Sequence, residues 1–184
     1  MPIDPKNLPE EIAPYVAAAT DYIFNAYKMD LDLSLESLAV IEHYLSKARP
    51  LDPALLDLLA AAMGSYFGEA LRREMNGSWN FSQGGTPAQW ILDLPPGLTL
   101  RPVGMVAEAL ALDEVEGYDG SLYLPDDELQ VLQAVLQAQP PLPPERYYAL
   151  STRIDVIQKV AESMTAVRNH KDSSQTAQEK LHQK

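Results

Sequence analysis

The sequence predicts an α+β fold: one mostly helical domain packed around a small antiparallel sheet of about three strands. Three observations predict it. Six segments repeat apolar residues at helical spacing. One stretch, residues 78–101, replaces that spacing with short extended runs punctuated by glycine and proline. Residues 52–77 join a start signal, an apolar face and a stop signal, which marks a central helix.

Taken in order, residues 1–8 are proline-rich and read as irregular. Pro9-Glu10-Glu11 opens the first helix, with its acids at the positive end of the dipole, and Ile12, Tyr15, Val16, Ala19, Ile23 and Ala26 stripe it to about Tyr27. The alternating leucines of 31–35 read as a short strand or an extended lead-in. Ser34 and Ser37 then cap a second helix to about Ala48, and Arg49-Pro50-Leu51 breaks the chain.

The central helix starts with Asp52 as cap and Pro53 at the first position, where its missing N–H costs nothing. It ends at Asn76-Gly77, which supplies the left-handed residue, with Arg72 and Arg73 in the last turn. Residues 53–75 would span about 34 Å, enough to cross a small domain. Leu56, Leu59, Ala60, Met63, Phe67, Ala70 and Leu71 share one broad face. The opposite arc is apolar in the first half (Leu55, Leu58, Ala61, Ala62) and polar in the second (Ser65, Tyr66, Glu69, Arg72, Arg73). The helix is therefore expected to start in the core and end at the surface. Gly64 and Gly68 predict close approach, either of a packed element or of a ligand.

Trp79-Asn80-Phe81, Ala88 to Leu94 and Leu98-Thr99-Leu100 read as the three strands of a meander, with Trp79 and Trp90 as core anchors or groove-lining rings. A helix follows Pro102 to about Leu112. Another runs from Pro125 to about Ala138, and the proline-rich 139–144 is a stiff connector. A long helix spans residues 145–169. The domain thus covers 1–169, and the polar tail 170–184 is expected to be disordered.

Composition narrows the function. The chain has no cysteine, which excludes thiol catalysis, Cys-ligated zinc and disulfides. A net charge of −12 argues against nucleic-acid binding through a basic surface. The N-terminus lacks a signal-peptide pattern and no unbroken apolar run approaches the roughly 18 residues of a membrane span. The cytoplasm is the expected compartment, with no membrane partner. No glycine-rich phosphate loop occurs, so no cofactor is expected.

Gly64-Ser65-Tyr66-Phe67-Gly68 is no nucleophile elbow, because Ser65 is displaced from the midpoint and lies inside a helix. His43, His170 and His182 are scattered, and His43 reads as a surface residue. Residues 108–128 hold eight acids and no Lys or Arg. Their glycines are out of register with a calcium loop, so no metal site is expected.

Two motifs resemble uncharacterised bacterial domains of unknown function. One is Leu31-Asp32-x-Ser34-x-x-Ser37-Leu38. The other is Gly64-x-Tyr66-x-Gly68-Glu69-x-x-Arg72, followed by Trp79. The resemblance covers roughly residues 30–100. It implies no activity and no catalytic residues. By analogy with similar small bacterial proteins it implies an immunity or accessory role beside a secreted toxin.

Two functional expectations follow. The first is a non-catalytic module binding a basic protein through Asp113, Glu114, Glu116, Tyr118, Asp119 and Tyr123. Carboxylates speed the encounter and tyrosines supply contact area. Its competitor is an acidic solubilising surface. The second is an enzyme whose Glu69 acts as acid or base, beside Tyr66 and with Arg72 or Arg73 holding an anionic group. Glu69 also has two structural readings: an exposed ion pair at i+3 and i+4, or a buried carboxylate bonded to Tyr66 or to a neighbouring loop.

Overall fold

The computed structural model describes residues 7–49, 52–138 and 140–182. Most of the irregular N-terminus, Pro50-Leu51 of the predicted break, Gln139 of the connector and the last two residues of the tail lie outside them. Among the described residues are seven helices: α1 (Ala13–Tyr27), α2 (Leu38–Lys47), α3 (Pro53–Met75), α4 (Pro102–Ala111), α5 (Leu129–Gln137), α6 (Pro144–Tyr147) and α7 (Leu150–His182). Four strands, β1 (Ser78–Asn80), β2 (Ile91–Leu94), β3 (Leu98–Leu100) and β4 (Leu122–Tyr123), form one antiparallel sheet in the order β1-β2-β3-β4. This is the predicted α+β class, with one strand more than predicted.

α3 is the axis of the fold and packs chiefly against α4 and α1. Its Asp52 cap forms as expected, the carboxylate accepting from Ala54 N–H at 2.9 Å. At the other end Asn76 takes the left-handed conformation and Gly77 N–H closes onto the Arg72 carbonyl at 2.9 Å. The burial gradient along α3 is not the expected one. Its first turn is exposed, with Leu55 46% and Leu58 48% accessible, whereas every residue from Leu59 to Leu71 is buried, Ser65, Tyr66 and Glu69 included. Of the arc expected at the surface, Ser65, Tyr66 and Glu69 are enclosed while Arg72 is half-buried and Arg73 exposed; Tyr66 finds its partners in the loop ahead of α2, and Glu69 finds its own in Arg72, Arg73 and Trp79.

Residues 54–75 are also apolar enough to cross a bilayer by length and composition, which a search for unbroken apolar runs does not register. Here 72% of that helix's most apolar window is buried inside the fold, the behaviour of a core helix wrapped on all sides.

The sheet covers one end of this axis. Register places Trp79 opposite Leu92, Leu92 opposite Leu100 and Leu100 opposite Leu122, a cross-strand row on one face. Leu92, Leu94, Leu98 and Leu100 are buried. Trp90 lies just before β2, buried, edge-on to Tyr15 at 5.3 Å and to Phe81 at 5.4 Å. Trp79 is only half-buried, a correction to its reading as a core anchor: one face of its indole stacks on Phe81.

α1 starts at Ala13 rather than at Glu10, since Pro14 lies in the first turn and tolerates little helix before it. The long C-terminal helix is divided at Tyr148–Ala149 into α6 and α7. Glu42 of α2 caps α7, its carboxylate accepting from Ser151 N–H at 2.7 Å. α7 continues to His182. No glycine or proline occurs after Pro144, and Ala, Gln, Glu and Lys favour helix.

Candidate functional site

α3 gathers the residues that the enzyme reading singles out, and it ties each of them down. Tyr66 reaches the loop ahead of α2. Its hydroxyl accepts from Leu33 N–H at 2.7 Å and meets Ser37 Oγ at 2.7 Å. Ser37 Oγ already donates to the Ser34 carbonyl, so the Tyr66 hydroxyl is the donor of that pair. Asp32 in turn accepts from the Ser34 N–H and hydroxyl, which holds its carboxyl below the ordinary aspartate value. The loop needs this support because Leu33 sits at φ 62°.

One turn on, Glu69 is fully buried. Arg72 grips it with two bonds, Nε to Oε2 at 2.8 Å and Nη2 to Oε1 at 2.9 Å. Arg73 Nε adds a third at 2.8 Å, and Trp79 Nε1 a fourth at 3.1 Å. Burial pushes the Glu69 pKa up, but the bonds from Arg72, Arg73 and Trp79 outweigh it, and the carboxyl is held below its ordinary value. A general base needs a free lone pair and a raised pKa; Glu69 has four donors and a lowered one. Glu69 is the buried carboxylate among its predicted readings, bonded to Trp79 rather than to Tyr66.

Gly64 and Gly68 serve the same junction. A Cβ at Gly64 would stand 2.5 Å from Val103 Cα of α4, and one at Gly68 would overlap the Trp79 ring. The close approach is by packed elements, not by a ligand. Leu31 to Leu38, Gly64, Tyr66, Gly68, Glu69, Arg72 and Trp79, the residues that carry the resemblance, thus meet along one helix.

The acidic segment divides into paired and unpaired acids. Glu108 on α4 accepts from Arg153 Nη2 at 2.5 Å and from Gly120 N–H at 2.9 Å, while Arg153 Nη1 donates to the Gly120 carbonyl at 2.7 Å. This ring of bonds staples α4, the segment before β4, and α7. Glu128 is gripped by Arg168 at 2.6 and 2.7 Å. Asp119 pairs with Arg101 and accepts from Tyr123 Oη at 2.7 Å. Burial raises the Asp119 pKa, but the bonds from Tyr123 and Ser121 and the Arg101 charge bring it below the ordinary value. Tyr118 Oη donates to Asp57 at 2.7 Å, and burial with that bond raises the phenol's pKa. So Tyr118 and Asp119, expected to face a partner, are half-buried and tie the segment to the fold, while Tyr123 bonds Asp119 and stays exposed. Asp113, Glu114 and Glu116 are exposed and form no ion pair among the described residues.

The arginines are what the sequence reading missed. Their signal is positional: Arg153, Ile157, Val160, Met164 and Arg168 follow helical spacing on one face of α7, so an arginine ends each side of a buried stripe.

Three clefts border these elements. The largest, about 670 Å³, lies between α5, α7 and residues 140–142, with Leu122, Leu132, Leu136 and Val156 on its walls and Glu114 and the Glu108–Arg153 pair among its polar groups. Tyr147 and Tyr148 also line it, packed edge to face at 4.9 Å. Burial raises the Tyr148 pKa, and the negative charges of Asp113, Glu108 and Glu114 raise it further. A polar cleft of about 650 Å³ includes Gly84, Gly85, Arg101, Tyr118 and Asp119, and a smaller one of about 360 Å³ includes Glu42, His43 and Arg49. None of the three includes Tyr66, Glu69, Arg72 or Arg73. Among the described residues no three His, Asp or Glu side chains gather as a metal-holding cluster. Comparison of the chain with protein-family models, with curated proteins and with solved structures finds no match, so the functional reading rests on this geometry alone.

Proposed function

We propose that the chain is a non-catalytic interaction module of a bacterial cytoplasm that binds a basic protein partner, in the manner of an immunity or accessory factor. One observation carries the reading. Within this segment Glu108, Asp119 and Glu128, the acids that are buried or half-buried, are engaged by Arg153, Arg101 and Arg168, whereas Asp113, Glu114 and Glu116 stay exposed without a counter-ion among the described residues. The segment that bears them is pinned at Tyr118, Asp119 and Gly120, so the charges stand on a fixed support. Fixed uncompensated charge steers a basic partner and sets its orientation at little entropic cost. The enzyme reading lacks matching support, since its Glu69 is saturated with donors and borders none of the three clefts.

The test separates this patch from the overall charge of −12. Labelled decalysine is titrated with wild type, with Asp113→Lys/Glu114→Lys/Glu116→Lys, and with a control reversing the exposed Glu10, Asp21 and Asp30. Both triple variants gain the same charge. The first should weaken binding about tenfold or more and the control far less, with wild-type binding falling as salt rises. Equal losses in the two variants would reduce the acidic segment to a solubilising surface.

A further inference from the structure

The cleft beside the acidic segment has an unusual wall. α4 buries nine of its ten residues, but α5, a nine-residue helix, buries none. α5 is nevertheless rich in leucine and valine. Leu129, Leu132 and Leu136 recur at i, i+3 and i+7, which lines them up over about 10 Å of helix. Leu129 is 42% accessible and Leu136 48%. Leu132 and Leu136 form one wall of the 670 Å³ cleft, Val156 and Ile157 of α7 another, and Tyr147, 57% accessible, stands with Tyr148 at the side. The uncompensated Glu114 lines the same cleft. Apolar walls, an aromatic pair and unpaired negative charge are therefore contiguous.

On the basis of the partner reading above, we infer that this cleft is where the partner docks, and that the docked segment is a basic amphipathic helix. Its apolar side chains, three and four residues apart, lie against Leu132, Leu136 and Val156, and its Lys or Arg residues face Asp113, Glu114 and Glu116. Three observations select this occupant. Half-buried Leu132 and exposed Leu136 stand one turn apart on one face of α5 and continue the line of exposed Leu129, a spacing that matches the i, i+3, i+4 anchors of a helix laid in a groove. A small molecule would be enclosed by its site, whereas Leu136 is left nearly half accessible. The charge excludes two other apolar surfaces. An anionic bilayer is repelled by the carboxylate rim, and a second copy of the chain would bring its own −12 against it.

The experiment uses two labelled 18-residue peptides of identical lysine and leucine composition. In one, leucines recur at i, i+3, i+4 and i+7; in the other they are shuffled so that no helical face is apolar. Wild type should bind the patterned peptide about tenfold tighter or more. Leu136→Asp should abolish that preference without weakening binding of the shuffled peptide or of decalysine, while Leu136→Met should keep it. Leu136 is exposed enough for the aspartate variant to fold, which an unchanged melting temperature checks. Equal affinity for the two peptides, or a preference that survives Leu136→Asp, overturns the groove; if reversal of Asp113, Glu114 and Glu116 still weakens decalysine, the partner reading stands without it. A preference for the patterned peptide that is indifferent to those reversals overturns the basic character of the occupant. Sedimentation without peptide that shows a dimer dissociated by Leu136→Asp would assign the groove to a second copy and overturn the inference as well.

Discussion

Tyr66 shows how much one hydroxyl can organise. It lies 33 residues from Leu33 in the chain, yet its oxygen satisfies the Leu33 N–H and its proton goes to Ser37. A leucine in the left-handed region costs about 1–2 kcal/mol, and the Tyr66 bond helps hold it there. Tyr66→Phe keeps the ring in the core and orphans a buried N–H, so it should lower unfolding free energy by about 1–3 kcal/mol in urea denaturation. Ser65 is the opposite case. Its hydroxyl is buried with no hydrogen-bond partner, so Ser65→Ala should be neutral or stabilising in the same measurement. A clear loss of stability there would mean the hydroxyl has a partner. The sequence marks both residues as polar positions on the central helix. It cannot show that Tyr66 finds partners and Ser65 none, because the partners of Tyr66 sit in a loop that only the folded chain brings close.

At the scale of elements, α3 was legible to the residue: Asp52, Pro53, Asn76 and Gly77 are local signals, and local chemistry determines where a helix starts and stops. Which arc of α3 faces water was read the wrong way round. An apolar arc says a surface can be buried, but whether it is depends on what packs there, and residues 55–58 have little against them. β4 was missed because two residues between acids carry no alternation to detect; pairing with β3 makes it a strand. The division of α6 from α7 was missed because the cap on α7 comes from Glu42, over a hundred positions away. The glycines were legible in kind, since a glycine inside a helix costs about 1 kcal/mol and predicts a close neighbour. That neighbour is the Trp79 ring at Gly68 and the α4 backbone at Gly64. Gly68→Leu would drive a side chain into the indole and Pro102, with an expected loss of about 1–3 kcal/mol or more. A thermal melt identical to wild type would show that β1 and α4 do not press on α3 there.

At the scale of the whole molecule, two electrostatic effects oppose each other as the pH falls. The net charge of −12 makes the native state repel itself at neutral pH, so protonation, like added salt, relieves a destabilising force. Against this stand carboxyls whose folded pKa is depressed: Glu69, Asp119 and Asp32. For each, the unfolded chain takes up a proton at higher pH than the folded one does. The stability it lends is complete above the ordinary carboxylate value and disappears as pH falls through the lowered one. Asp32 and Asp119 are solvent-screened, whereas Glu69 is fully buried, so Glu69 should dominate. At pH 7, Glu69→Gln should therefore cost about 1.5–3 kcal/mol, because it removes the charge that three N–H donors from Arg72 and Arg73 serve. Urea unfolding repeated at descending pH should show the gap between wild type and variant closing below the ordinary glutamate range, as wild-type Glu69 becomes neutral too. A gap of constant size down to the acid-unfolding limit would mean that the shape of the Glu69 side chain, and not its charge, joins Trp79 and β1 to the end of α3.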